Sequence, residues 1–170
     1  DVERSRGLGD VYKRQIFTQP SSPIKCAGAP QKIMWLALNH WQNAGLYKKD
    51  PSSPIKITFA QGMPTMFSVP HYSKVLDELR EERGVTGLFQ HNLIAIEDNA
   101  KTAVFQRPDG EQVKKSFDFM HVVPTMSPPD FLKKSPLANS GGYAEVDQGT
   151  LRHVKYDNVW SVSYTHLTLP

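Results

Sequence analysis

The chain has 170 residues, a formal net charge of +3 from 20 Lys and Arg against 17 Asp and Glu, 6 histidines and a single cysteine. That length suffices for a domain with a real core, and one thiol cannot close an internal disulfide, which excludes a disulfide-built secreted scaffold. The basic pairs Lys48-Lys49, Lys114-Lys115 and Lys133-Lys134 lie apart without interleaved aromatics, so no nucleic-acid stripe is present, and no apolar run approaches the roughly 20 residues that a bilayer span needs.

Residues 1–15 (DVERSRGLGDVYKRQ) show no apolar periodicity, and 162–170 (VSYTHLTLP) break off the preceding pattern without a turn or cap. Both read as foreign to the fold, which leaves 16–161 as the domain. Ile16-Phe17-Thr18 is β-branched and aromatic and reads as a strand end, and Gln19 to Lys25 is a loop broken by Pro20 and Pro23. From Pro30 to about Ala44 the apolar residues Ile33, Met34, Ala37, Leu38 and Trp41 fall at helical spacings, with Gly45 as the stop. Ile55 to Ala60 is a strand, followed by an apolar Gly62–Phe67 loop that reads as core lining or, at such a strand end, as a ligand contact. A second helix is predicted from His71 to Arg83, with Val75, Leu76 and Leu79 inward and Gly84 as terminator.

Val85 to Phe89 begins another strand. Leu93–Glu97, Thr102–Gln106 and Gln112–Phe117 then read as an antiparallel meander with turns at Asp98-Asn99 and Pro108-Asp109-Gly110. Phe119 to Val123 is a continuous apolar run, as expected for a strand buried on both faces. After Pro124 the chain reads as mostly loop until Val159-Trp160. His40, His71, His91, His121 and His153 are too dispersed for metal-ligand spacing and read as surface or polar-core histidines, so no metal site is expected.

The lone Cys26 stands just ahead of the first predicted helix, in Lys25-Cys26-Ala27-Gly28-Ala29-Pro30-Gln31. A thiol there meets unpaired N–H groups and the positive end of the helix dipole, which stabilise the nucleophilic thiolate. Pro30 suits the first helical position, where an N–H would go unpaired, and Gly28 permits a tight turn or close approach of a planar ligand. The other reading of such a cysteine is a small buried hydrophobe.

Three segments carry a family resemblance. Pro23-Ile24-Lys25-Cys26-Ala27-Gly28-Ala29-Pro30-Gln31-Lys32-Ile33-Met34 resembles the redox-cysteine segment of sulfide:quinone oxidoreductases of the mitochondrial type. His121-Val122-Val123-Pro124-Thr125-Met126-Ser127-Pro128-Pro129-Asp130 resembles a second signature, and Tyr156-Asp157-Asn158-Val159-Trp160 resembles the lead-in to the flavin-binding Gly-Asp motif. They come in the family's order across about 16–161, which implies an internal piece of such an enzyme.

The resemblance implies an α/β fold: the second dinucleotide-type, Rossmann-like domain of a two-domain flavoprotein disulfide reductase, with an antiparallel meander and incomplete here. It implies FAD as cofactor, Cys26 as catalytic, and Gly28, Pro124 and Met126 near the flavin. In the family it resembles, sulfide opens a bridge between two cysteines, and the resemblance implies that the second lies outside this chain. A persulfide forms on one, and electrons pass through FAD to a quinone. Implied partners are hydrogen sulfide, a quinone and a small thiol or sulfite that accepts the persulfide sulfur. Membrane contact is implied through parts outside this chain, at the mitochondrial inner membrane or, outside eukaryotes, a bacterial membrane. The alternatives are a type II NADH:quinone oxidoreductase and a non-catalytic α/β module with an inert cysteine. Against the first, the turn Cys26-Ala27-Gly28-Ala29-Pro30-Gln31 lacks the G-x-G-x-x-G that cradles a dinucleotide.

Overall fold

A computed structural model of the chain describes residues 14–50, 52–99 and 101–162. They divide into two compact units that part between Thr125 and Met126.

In the first unit, strands β1 (Arg14–Gln19), β2 (Lys56–Gln61), β3 (Thr86–Phe89) and β7 (Phe119–His121) form a parallel sheet in the order β3-β2-β1-β7. Helix α1 (Ala29–Asn43) connects β1 to β2, and α2 (Pro70–Glu82) connects β2 to β3. Between β3 and β7 the chain forms the antiparallel sheet β4 (Asn92–Glu97), β5 (Thr102–Gln106) and β6 (Gln112–Ser116).

Successive strand residues point to opposite faces, and here they feed two cores. Phe17, Ile57 and Phe59 pack with Met34 and Leu38 of α1. Ile16 and Ala60 pack with Ala103, Phe105 and Phe117, which belong to the meander or directly follow it. Each fully buried large side chain contributes about 1.5–3 kcal/mol. The layers are therefore helix, parallel sheet and antiparallel sheet. Gly45 and Gly84 follow the helices with φ of +72° each, the left-handed conformation that ends a helix.

Three expectations need correction. Arg14 and Gln15, read as part of a foreign arm, belong to β1: Gln15 pairs in register with Ile57 and Phe119, and Arg14 makes two side-chain hydrogen bonds of 3.0 Å to the Asp118 carboxylate. Both residues are polar, so no apolar pattern marks them. The rest of that arm and residues 163–170 lie outside the described residues. Phe119 to Val123 is not buried on both faces, because β7 is an edge strand among the described residues and Phe119 is 49 % exposed. Val75 is 53 % exposed, whereas Ser73 of the same helix is buried.

The second unit begins with the loop expected after Pro124 but includes one short helix, α3 (Asp130–Lys133). It is held by isolated bridges, Ala138 with Ala144, Val146 with His153 and Arg152 with Trp160. Its organising side chain is His153, which is buried. His153 Nδ1 accepts the Lys155 N–H at 3.0 Å, so the neutral ring carries its proton on Nε2 and donates it to the Leu137 carbonyl at 3.0 Å.

Candidate functional site

The strand order reverses direction at β1, with β2 on one side and β7 on the other. In open α/β sheets, ligands bind outside the carboxyl ends of the strands at such a switch point. The loops leaving β1 and β7 carry Cys26 with Gly28 and Pro124, respectively. Thr18 ties the two strands together there. Its hydroxyl donates to the His121 carbonyl at 3.2 Å and accepts the Val123 N–H at 3.1 Å.

Cys26 is a half-buried free thiol. Its carbonyl accepts the Ala29 N–H at 3.1 Å, and the Gly28 carbonyl accepts the Lys32 N–H at 3.1 Å, so the first turn of α1 carries the cysteine backbone. The helix opens with Gly28 as its N-cap, no side-chain cap, and proline in the first turn. Gly28 has φ of −87°, and a Cβ there would meet nothing within 4 Å. The turn itself does not demand glycine.

Facing this turn is the loop after β2. The Gln31 side chain is buried and its Nε2 donates to the Met66 carbonyl, while Gln61 Nε2 donates to the Thr65 carbonyl at 2.6 Å. A Cβ on Gly62 would lie 2.5 Å from Ser21 Cβ and 2.6 Å from Ser21 Cα, so the loops after β1 and β2 touch backbone to backbone. Beside the cysteine turn runs a groove of about 320 Å³, mostly apolar, lined by Gly28, Gln31, Trp35, Leu36, Phe67 and Leu76.

The same edge holds buried polar atoms without partners among the described residues: Gln19 Oε1, Gln61 Oε1, Ser22 Oγ and His121 Nδ1. Gln19 and Gln61 end β1 and β2 and face each other in register. An unsatisfied buried polar atom costs about 1–3 kcal/mol, and several on one edge suit a polar ligand seated there. Sequence reading gave Gln19, Gln31 and Gln61 no role. The available signal was a glutamine closing each of two apolar strands, where a core residue would serve stability better.

Of the residues expected near a cofactor, Cys26, Gly28 and Pro124 lie at this switch point, and Met126 belongs to the second unit. Among the described residues no group of His, Cys, Asp or Glu could hold a metal ion, and no helix is long and apolar enough to cross a membrane.

No family model matches the chain. It is 45 % identical over 151 residues to the mitochondrial sulfide:quinone oxidoreductase of Dictyostelium discoideum, covering 88 % of this chain and 32 % of that protein. The mouse (Mus musculus) mitochondrial sulfide:quinone oxidoreductase is 42 % identical over 149 residues, covering 86 % of this chain and 32 % of that protein. The chain thus spans about a third of the length of the curated relatives it matches. Among solved structures, the sulfide:quinone oxidoreductase of Aquifex aeolicus superposes with a TM-score of 0.75 at 15 % identity, covering 96 % of this chain and 39 % of that one, a likeness of fold.

Proposed function

We propose that this chain, homologous to mitochondrial sulfide:quinone oxidoreductases over about a third of their length, is the part of such an enzyme that presents a redox-active thiol, Cys26, to sulfide and to FAD. The observation that carries the reading is the position of Cys26. It lies on the loop from β1, at the switch point of a parallel sheet, within a segment aligned to those oxidoreductases. In this reading the domain is the second dinucleotide-type domain of a two-domain flavoprotein disulfide reductase, and its native part takes in Arg14 and Gln15 of β1.

FAD suits this edge because Gln19, Gln61 and His121 leave polar atoms there without partners and Gly28 leaves open space. Gly28, Pro124 and Met126 would lie against the flavin. Bound FAD would supply the two-electron acceptor that hands on to a quinone. The chain supplies the sulfur. With Cys26 bridged to a second cysteine, sulfide attacks the bridge; the S–S bond breaks and a new S–S bond gives a persulfide on one cysteine. The other sulfur leaves as a thiolate carrying the electron pair. A small thiol or sulfite would remove the persulfide sulfur. The half-buried setting of Cys26 leaves its sulfur open to a small nucleophile. The relatives' names place them in mitochondria, and in this reading the enzyme meets the inner membrane through parts outside this chain.

A nicotinamide enzyme is disfavoured by the same turn, where Pro30 and the Gln31 side chain occupy the helix start that a dinucleotide-binding chain opens with glycines. The test is stopped-flow flavin absorbance of the complete enzyme on mixing with sulfide. Cys26→Ser keeps the volume but leaves no anion to take up sulfur. The expected result is retained FAD that sulfide no longer bleaches. Bleaching near the wild-type rate makes Cys26 a packing residue and ends this reading.

A further inference from the structure

We propose that Gln31 is the positioning residue that holds the Cys26 turn in place; the inference rests on the redox reading of Cys26. Gln31 is only 3 % exposed in the first turn of a helix, where a flexible polar side chain loses entropy and hydration on burial. Its Nε2 offsets that cost with one bond, to the buried carbonyl of Met66. The far end of that bond is rigid. The Met66 side chain is in the helix-side core, the Thr65 carbonyl is held by Gln61, the Thr65 hydroxyl donates to the Phe67 carbonyl at 2.9 Å, and the Phe67 N–H donates to Ser73 Oγ at 3.3 Å.

The near end is the turn that carries the thiol. Cys26 is bonded through its carbonyl to Ala29, and α1 has no side-chain cap of its own. Gln31 thus pins the first turn of the helix to the 62–69 loop and transmits the fixed position of that loop to Cys26. Without the bond, the first turn frays and the thiol moves relative to its reaction partners. A misplaced reacting group loses rate even when everything remains bound.

The test uses two variants of the complete enzyme and two rates. Gln31→Met keeps the length and removes the donor. Flavin reduction by sulfide should fall about ten- to a hundredfold with FAD still bound. Alkylation of Cys26 by iodoacetamide in the reduced protein should run about threefold faster as the turn opens locally. Gln31→Glu adds a pH signature. The buried carboxyl, when protonated, donates to the Met66 carbonyl; ionised, it repels it. Its alkylation rate relative to wild type should approach one below about pH 6 and rise above it. Val104→Ala, a core truncation in β5, serves as the control and should leave both rates unchanged in folded protein.

Wild-type rates in Gln31→Met, a pH-independent ratio in Gln31→Glu, or the same changes in Val104→Ala would each overturn the proposal. If sulfide fails to bleach the wild-type flavin, the functional reading falls separately. The alkylation measurements then still decide whether Gln31 positions Cys26.

Discussion

At the residue scale, single side chains join parts of the chain that are remote in sequence. Tyr47 is buried just past α1, and its hydroxyl donates to the Arg83 carbonyl at the end of α2 at 2.7 Å. Burial pushes the Tyr47 phenol above its ordinary value, because the phenolate would lose hydration. Since the folded state holds this proton more tightly, the stability that Tyr47 contributes is full below about pH 10 and is lost as pH rises through the folded-state value. Urea unfolding at pH 9 and at pH 11 should show the loss. Tyr47→Phe should be less stable than wild type at pH 9 by about 1 kcal/mol for the missing bond, and should lose less between the two pH values. A parallel loss in both proteins would assign the alkaline instability to other groups.

At the scale of the element, α2 shows how a helix can bury the wrong-looking face. The residues turned inward are Ser73, whose Oγ accepts the Phe67 N–H, with Leu76 and Arg80. The Arg80 guanidinium is held by Asp77 at 2.7 Å and the Val85 carbonyl at 2.9 Å and lies over the Phe89 ring at 5.7 Å. The spacing 73, 76, 80 is helical, but a hydroxyl and a guanidinium occupy two of its places. An apolar count rotates the helix toward Val75 instead. Ser73→Ala should therefore cost about 1 kcal/mol by orphaning the Phe67 N–H. Val75→Lys should change stability by less than about 0.5 kcal/mol. Thermal unfolding of both variants decides the matter, and a reversed order would mean that α2 is turned as its apolar pattern suggests. β7 follows the same logic: its length of apolar sequence matched a buried strand, but its place at the sheet edge leaves Phe119 half exposed.

At the scale of the whole molecule, the two units each expose large apolar side chains. Leu36 is 61 % exposed in the first unit and Phe131 78 % in the second. The matched relatives are about three times as long as the aligned segment. No glycine turn able to cradle a pyrophosphate at a helix N-terminus occurs between Ile16 and Ser161. The chain by itself is therefore expected to purify without flavin, judged by the flavin absorbance of the purified polypeptide. One equivalent of FAD retained by this polypeptide would show that the carboxyl edge of the parallel sheet alone makes the cofactor site.

The sequence by itself determined most elements of the first unit and their order. Helix α1 with its glycine stop, strands β2 to β6 and the meander turns were legible because apolar period and turn chemistry are local properties. The motif around Cys26 also stood out locally and pointed to the relatives later matched. The tertiary structure alone decided which strands of the parallel sheet adjoin, and so that the loops bearing Cys26 and Pro124 leave the sheet at its switch point. It likewise decided that Arg14 and Gln15 complete β1, that Ser73 lies inward, and that Gln31 reaches Met66. Most of these join residues remote in the chain, such as Gln31 with Met66 at a separation of 35 and Thr18 with His121 at 103. A polar side chain carries no periodic signal of its partner. Only closure of the fold, which brings the donor to its acceptor and removes water from both, makes it structural.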